Sequence, residues 1–226
     1  MRNNLERSRL ELVTLDCYGT LIDWAGGVRT AAAALESLRG CDLEQLVHDR
    51  EALDEVEVMR AYAPYGVKLG LTLREAAARQ GRELTYEDER RFIESMGSWA
   101  PFEETRPALE RLGRLYQLAV LSNVETRVLY QSLQTIGVEV DFFVTAEQVR
   151  SYKPARAHFD AALERSKRDK SRILHVGASL FHDVRPALEY GWNVAWVNRD
   201  GRLGRSDAVP QFEVRSLTEL CEALRC

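Results

Sequence analysis

In LVTLDCYGTLIDW (residues 12–24) an aspartate stands at the end of an apolar run, and Tyr18, Gly19 and Thr20 follow it. A carboxylate in such a place can cap a turn or attack an electrophile. Three more apolar runs end in polar residues, at Ser122–Asn123, at Thr145 and at Ser179. Lys153 and Asp183 follow the last two closely. Open parallel sheets bind ligands at the carboxyl ends of their strands. If these runs are parallel strands, the acids at 16 and 183 and their amine, hydroxyl and amide partners converge on one edge.

The elements that must position them can be read from the pattern. Near-continuous apolar runs occur at 10–16, 116–123, 140–146, 172–179 and 193–198, as expected for strands covered by helices on both faces. Between them, VETRVLYQSLQTIG, ARAHFDAALERSK and HDVRPALEYG carry apolar residues at three and four spacing, and two of these close on glycine. Such alternation predicts an α/β fold, a Rossmann-like, doubly wound parallel sheet. Residues 25–100 break the alternation and read as helices at 26–40, 42–63, 72–81 and 85–99. An insert of about 75 residues is too long for a loop. The expected division is therefore a core of residues 1–23 and 101–226 and a helical cap of residues 24–100 that roofs the strand ends. Asp23 reads as the N-cap of the insert's first helix. NRDGRLGRSD (198–207) reads as a polar loop.

Bulk properties narrow the function classes. The chain has 226 residues, 45% of them hydrophobic, with 31 basic against 35 acidic side chains and a net charge of −4. That is enough to bury a substantial core, and it argues against a basic nucleic-acid footprint. No run approaches the ~18 apolar residues of a membrane span. MRNNLERSRLEL lacks the apolar block of a secretory signal. Cysteines 17, 41, 221 and 226 form no CxxC pair, so reduced thiols in a cytoplasmic protein are expected. Cys17 is expected to pack on the strand face opposite Asp16, because side chains alternate there.

Four segments in order carry a family resemblance. DCYGTLID (16–23), LSN (121–123), YKP (152–154) and GASLFHD (177–183) resemble the four motifs of the haloacid dehalogenase superfamily. The resemblance spans nearly the whole chain and implies a Rossmann-like core with a helical cap. It also implies an aspartate nucleophile that forms a covalent intermediate, which water then hydrolyses. Carried over by position, Asp16 is the nucleophile, while Thr20 and Ser122 hold oxygen atoms of the substrate or the carboxylate, with Asn123 nearby. Lys153 offsets negative charge, and Asp183 orients Lys153 or the hydrolytic water. A cation and hydroxyl donors suit carboxylate attack, since they align the nucleophile and stabilise the charge that moves.

Tyr18 separates branches of the superfamily. Its phosphatases resemble one another in a second aspartate two residues after the nucleophile, which protonates the leaving alkoxide. An alkoxide departs poorly without a proton, whereas a halide leaves unaided. Mg²⁺ normally offsets the repulsion between an aspartate and a phosphoryl dianion, using two or more carboxylates. Here Ala178 stands where the phosphatase motif has an acid. Asp16 and Asp183 alone would bind Mg²⁺ weakly through water, so no cofactor is expected.

The chain is similar to the L-2-haloacid dehalogenase group at Asp16, Tyr18, Thr20, Ser122, Asn123, Lys153 and Asp183. It departs from the group where a serine, an asparagine and a tyrosine are usual, at Ala178, Leu180 and Phe159. The cap arginine that grips the halide has no unambiguous match. His48 and Arg50 lie in the right helix and Arg60 is more distant, and a solvated helix face explains that charge run equally well. Ser179, Tyr18 and Phe159 complete the expected substrate-binding set. Trp24, Tyr62, Tyr65 and Trp99 are candidates for the cap-facing wall or for the core. The first reading is a metal-independent hydrolase acting on a short 2-halocarboxylate, with a homodimer through the helical insert as an option. The alternatives are a Mg²⁺-dependent phosphatase with an atypical acid and a non-catalytic binding protein.

Overall fold

Strand β1, Leu12–Leu15, is buried at every position and lies in the middle of a six-stranded sheet. The other strands are β2 (Gln117–Ser122), β3 (Phe142–Thr145), β4 (Ile173–Gly177), β5 (Asn193–Val197) and β6 (Phe212–Val214). Their order is β3-β2-β1-β4-β5-β6, and every pairing is parallel. The computed structural model describes residues 9–204 and 209–226. The expected leaderless N-terminus begins outside those residues, as do the last three positions of the polar loop at 198–207.

The chain runs from β1 outward through β2 and β3, then returns to β4 on the other side of β1. Such a reversal opens a crevice beyond the strand ends, and Asp16 stands at its edge. Side-chain alternation sorts the two faces. Val13, Leu15 and Cys17 pack with α5 (Thr105–Leu112), α6 (Thr126–Ile136) and α10 (Leu217–Leu224). The short α7 (Ala146–Val149) follows β3 directly, and Leu12, Leu121 and Ile173 pack with α8 (Ala157–Ser166) and α9 (Arg185–Glu189). Cys17 is fully buried on the face away from Asp16, as expected. Between β4 and α9 the chain makes a π-helical turn, Leu180–Val184.

Residues 24–98 form helices and turns only: α1 (Trp24–Ala33), α2 (Leu43–Val58), α3 (Tyr65–Arg79) and α4 (Tyr86–Ser95). The Asp23 side chain accepts a hydrogen bond from the Gly26 amide and caps α1. Several features differ from expectation: α1 ends at Ala33 and not at 40, and α2 at Val58 and not at 63. α3 begins seven residues before the predicted 72, directly after Pro64. Gly66 and Gly70 weaken its sequence pattern, and packing against α2 and α4 supplies what propensity does not. The edge strand β6 was not expected, because three residues beside a polar loop carry too little periodicity to read. Among the described residues no helix is long and apolar enough to cross a membrane.

Candidate active site

Asp16 follows β1 directly, and its backbone amide donates to the Val176 carbonyl at 2.9 Å, which fixes it to β4. Its two carboxylate oxygens have different partners. Oδ1 accepts from Lys153 Nζ at 2.8 Å, and Oδ2 accepts from Thr20 Oγ1 at 2.9 Å. The Ala178 amide donates to Thr20 Oγ1 at 3.0 Å, leaving the threonine hydroxyl proton for Asp16. Position 178 thus acts here through its backbone.

Lys153 is fully buried, and its ammonium has three acceptors: Asp16 Oδ1, the Leu121 carbonyl at 2.7 Å and Asp183 Oδ1 at 2.6 Å. Three donors meet three acceptors, so the charge is buried with full hydrogen bonding. Asn123 clasps the same residue by its backbone. Its Oδ1 accepts from the Lys153 amide at 2.7 Å, and its Nδ2 donates to the Lys153 carbonyl at 3.0 Å. Asn123 therefore holds the loop that carries Lys153. Ser122 is buried at the end of β2 and lines the cavity. Its carbonyl accepts from His158 Nε2 at 3.1 Å, and burial, reinforced by the Lys153 charge, brings the His158 pKa down to about 3, so that ring stays neutral.

Burial and the neighbouring Asp183 charge raise the Asp16 pKa, against the pull of Lys153 and Thr20. Burial also acts to raise Asp183, but the Lys153 charge and His175 outweigh it and hold that carboxyl well below the usual range. Burial opposes the charge on Lys153, and the two carboxylates restore it and raise its pKa. The two acids on one lysine are thus unequal. Asp183 holds its charge firmly, while Asp16 is the more basic of the two.

Above Asp16 lies a cavity of about 330 Å³, lined by Asp16, Tyr18, Ser122, Asn123, Lys153, Ser179 and Asp183 from the strand ends. Trp24, Glu51, Asp54, Glu55 and Tyr65 line it from the helical insert. The Tyr18 phenol hydrogen-bonds Ser132 Oγ at 2.7 Å, and burial pushes its pKa well above the usual value. Its ring is wall, and its proton is not on offer near neutral pH. Ser179 caps the π-helical turn, accepting from the His182 amide at 3.0 Å. Seven carboxylates line the cavity (Asp16, Asp23, Glu51, Asp54, Glu55, Asp183, Asp200) against the fixed cations Lys153, Arg199 and Arg202. Each of those cations is ion-paired: Lys153 as above, Arg199 with Glu104, and Arg202 with Glu51 and Asp200.

Three residues expected to bind substrate are not brought to the cavity. The His48 side chain is 76% exposed, beside Asp49. Arg50 is fully buried inside the insert, donating to Thr72 Oγ1 at 2.8 Å, with its guanidinium 5.5 Å from the ring centres of both Trp24 and Phe92. Trp24 lines the cavity, which puts Arg50 behind the wall. Phe159 is buried in the opposite helical layer, edge-on to His175, Tyr190 and Trp192. Leu180 packs in that layer as well. Of the four cap-side aromatics, Trp24 and Tyr65 face the cavity, Tyr62 stacks on Tyr152, and Trp99 packs against Phe92.

His175, His182 and Asp54 were not read from the sequence. His182 lines the cavity, with Nδ1 at 3.2 Å from the Lys153 carbonyl and Nε2 at 3.7 Å from Asp54 Oδ2. Its place next to Asp183 in the fourth motif was a usable signal. The spacing of Glu51, Asp54 and Glu55 along one side of α2 was another. The arrangement does not suit Mg²⁺: Asp16 Oδ1 and Asp183 Oδ1 share one ammonium, which a dication between them would have to face. Among the described residues no group of three or more His, Cys, Asp or Glu side chains could hold a metal ion.

Comparisons with known proteins bear on the family and the fold. A family model for haloacid dehalogenase-like hydrolases matches residues 10–191. Haloacetate dehalogenase H-2 of Moraxella sp. (strain B) is 27% identical over 203 residues, covering 85% of this chain and 88% of that protein. The (S)-2-haloacid dehalogenase H-109 of Pseudomonas putida is 26% identical over 222 residues, covering 95% and 98%. The solved L-2-haloacid dehalogenase of Xanthobacter autotrophicus superposes with a TM-score of 0.83 at 21% identity, covering 96% of this chain and 98% of that one. With a family model matched over most of its length, the chain belongs to the haloacid dehalogenase-like hydrolases.

Proposed function

We propose that this chain hydrolyses the carbon–halogen bond of a short 2-haloacid through an ester on Asp16, without a metal ion. The observation that carries the reading is the Asp16 carboxylate, held by Lys153 and Thr20 on the floor of a small cavity that offers no proton donor for an alkoxide at position 18. The dehalogenase relatives support the same chemistry. In this reading residues 1–23 and 101–226 form the catalytic core and residues 24–100 cap it.

One Asp16 oxygen attacks the carbon that bears the halogen, the C–O bond forms as the C–X bond breaks, and halide departs with the electron pair. Confinement in the cavity holds the carbon within reach of the carboxylate. Lys153 and Thr20 then polarise the ester that Asp16 has become. Water, held by a hydrogen bond to the Asp183 carboxylate, adds to the ester's carbonyl carbon. Collapse of the tetrahedral intermediate expels the hydroxy acid oxygen, which takes one of the water's protons, and the Asp16 carboxyl loses the other to solvent. Because each fixed cation of the wall already has a carboxylate partner, and His182 stands beside Asp54, the Ser122 hydroxyl is the group that meets the substrate's carboxylate. The rings of Trp24 and Tyr65 limit its size.

The test is halide release from 2-chloropropionate, with and without chelator, beside a Mg²⁺-dependent phosphatase panel on the same preparation. Release is expected to survive chelator and to disappear in Asp16→Asn. No halide from any short haloacid at high enzyme concentration, or phosphate release that needs Mg²⁺, overturns the reading.

A further inference from the structure

Behind the nucleophile a second polar chain runs into the sheet. Thr14 on β1 and His175 on β4 are direct cross-strand partners, and both are fully buried. His175 Nδ1 lies 3.0 Å from Thr14 Oγ1, and Nε2 lies 3.3 Å from Asp183 Oδ1. An ionised carboxylate only accepts, so Nε2 carries a hydrogen and donates to Asp183, while Nδ1 pairs with the threonine hydroxyl. Phe159 and Trp192 wall the ring edge-on, with centroids at 5.2 and 6.3 Å.

Asp183 Oδ1 therefore takes two donors, Lys153 and His175, while Oδ2 is buried without a partner on a residue that lines the cavity. Room for this carboxylate depends on Gly177, where a Cβ would fall 2.7 Å from Oδ2. A buried carboxylate oxygen left without a donor is costly, and a water at the Asp16 ester would satisfy it. We infer that His175 is a positioning residue for the second half-reaction: by engaging Oδ1 it keeps Asp183 Oδ2 aimed at the water that cleaves the Asp16 ester. This rests on the ester mechanism proposed above. His175 touches neither substrate nor the reacting atoms, and it acts through Asp183 alone.

The experiment compares first-turnover halide release, steady-state turnover and intact protein mass in wild type, His175→Phe, His175→Gln and Thr14→Val, with 2-chloropropionate as substrate. In His175→Phe the first-turnover release should stay within about twofold while steady-state turnover falls about tenfold to a hundredfold. The protein should then gain the mass of the substrate less its halide, because the ester accumulates. Gln retains a donor for Asp183 and should recover most of the turnover. Thr14→Val, which keeps its shape in the strand, should slow the same step about threefold to tenfold. Equal loss in both steps, absence of the adduct, or Gln no better than Phe with Thr14→Val at wild-type rate overturns the inference. If wild type releases no halide, the ester mechanism itself fails and this inference with it. Wild-type release with indifferent variants sinks the inference alone.

Discussion

The floor of the cavity is built from strand ends and its roof largely from one side of the helix α2. On the floor, Asp16, Ser122, Asn123, Lys153 and Asp183 all line the cavity, with Thr20 hydrogen-bonded to the first of them. In the roof, His48 points to solvent and Arg50 is sealed behind Trp24, while Glu51, Asp54, Glu55 and Tyr65 take the places facing the substrate space. The difference is geometric. A strand end in a parallel sheet is held by hydrogen bonds on both sides, so the residue after it has little choice of position. On a helix each residue turns through about 100°, so a small rotation of α2 exchanges a wall residue for a buried or a solvated one.

That contrast can be broken, and the largest effect should come from the floor. Asp16→Asn should lower halide release by on the order of 10⁴-fold or more, measured with a halide electrode, because the attacking group is gone. Lys153→Met should cost about 10²- to 10³-fold in kcat. The same change should destabilise the protein by about 3–5 kcal/mol in a denaturant melt, since two buried carboxylates lose their shared cation.

A pH profile sharpens the assignment of the two acids. In the proposed mechanism Asp16 must be ionised to attack, and its pKa is raised by burial and by Asp183. The acid limb of kcat/KM should therefore lie above the ordinary carboxylate range, with activity falling as pH drops through it. Asp183, held well below that range, should add no second limb near neutral pH.

In the roof the expected effects are small. Asp54→Asn removes one negative charge from the wall and should lower KM for 2-chloropropionate by about twofold to fivefold. His48→Ala should leave kcat and KM within about twofold of wild type, as for an exposed side chain away from the site. A large loss in His48→Ala would return that residue to the substrate and erase the distinction between floor and roof.

Much of the floor was legible because its residues occupy short motifs at the ends of apolar runs, where period-two burial and strand-end polarity reinforce each other. Thr14 and His175 escaped notice for the opposite reason: each is a lone polar residue inside an apolar strand, and only the cross-strand register pairs them. Phe159 was assigned by its distance from Lys153 along the chain. Its helix instead turns the ring into the layer under the sheet. The early start of α3 was hidden by two glycines, which lower helix propensity while leaving tertiary packing free to decide.

By itself the sequence determined the doubly wound parallel sheet, the helical insert after the first strand and the identity of the acid at that strand's end. Those features follow from local patterning, in which burial on both faces, turn chemistry and polarity are written within a few residues. Tertiary structure alone decided which oxygen of each acid the lysine holds, why Asp183 is the more acidic, and which cap side chains face the substrate. These depend on angles between elements far apart in the chain, and on burial that alters the charge preference of each group only once the elements have met.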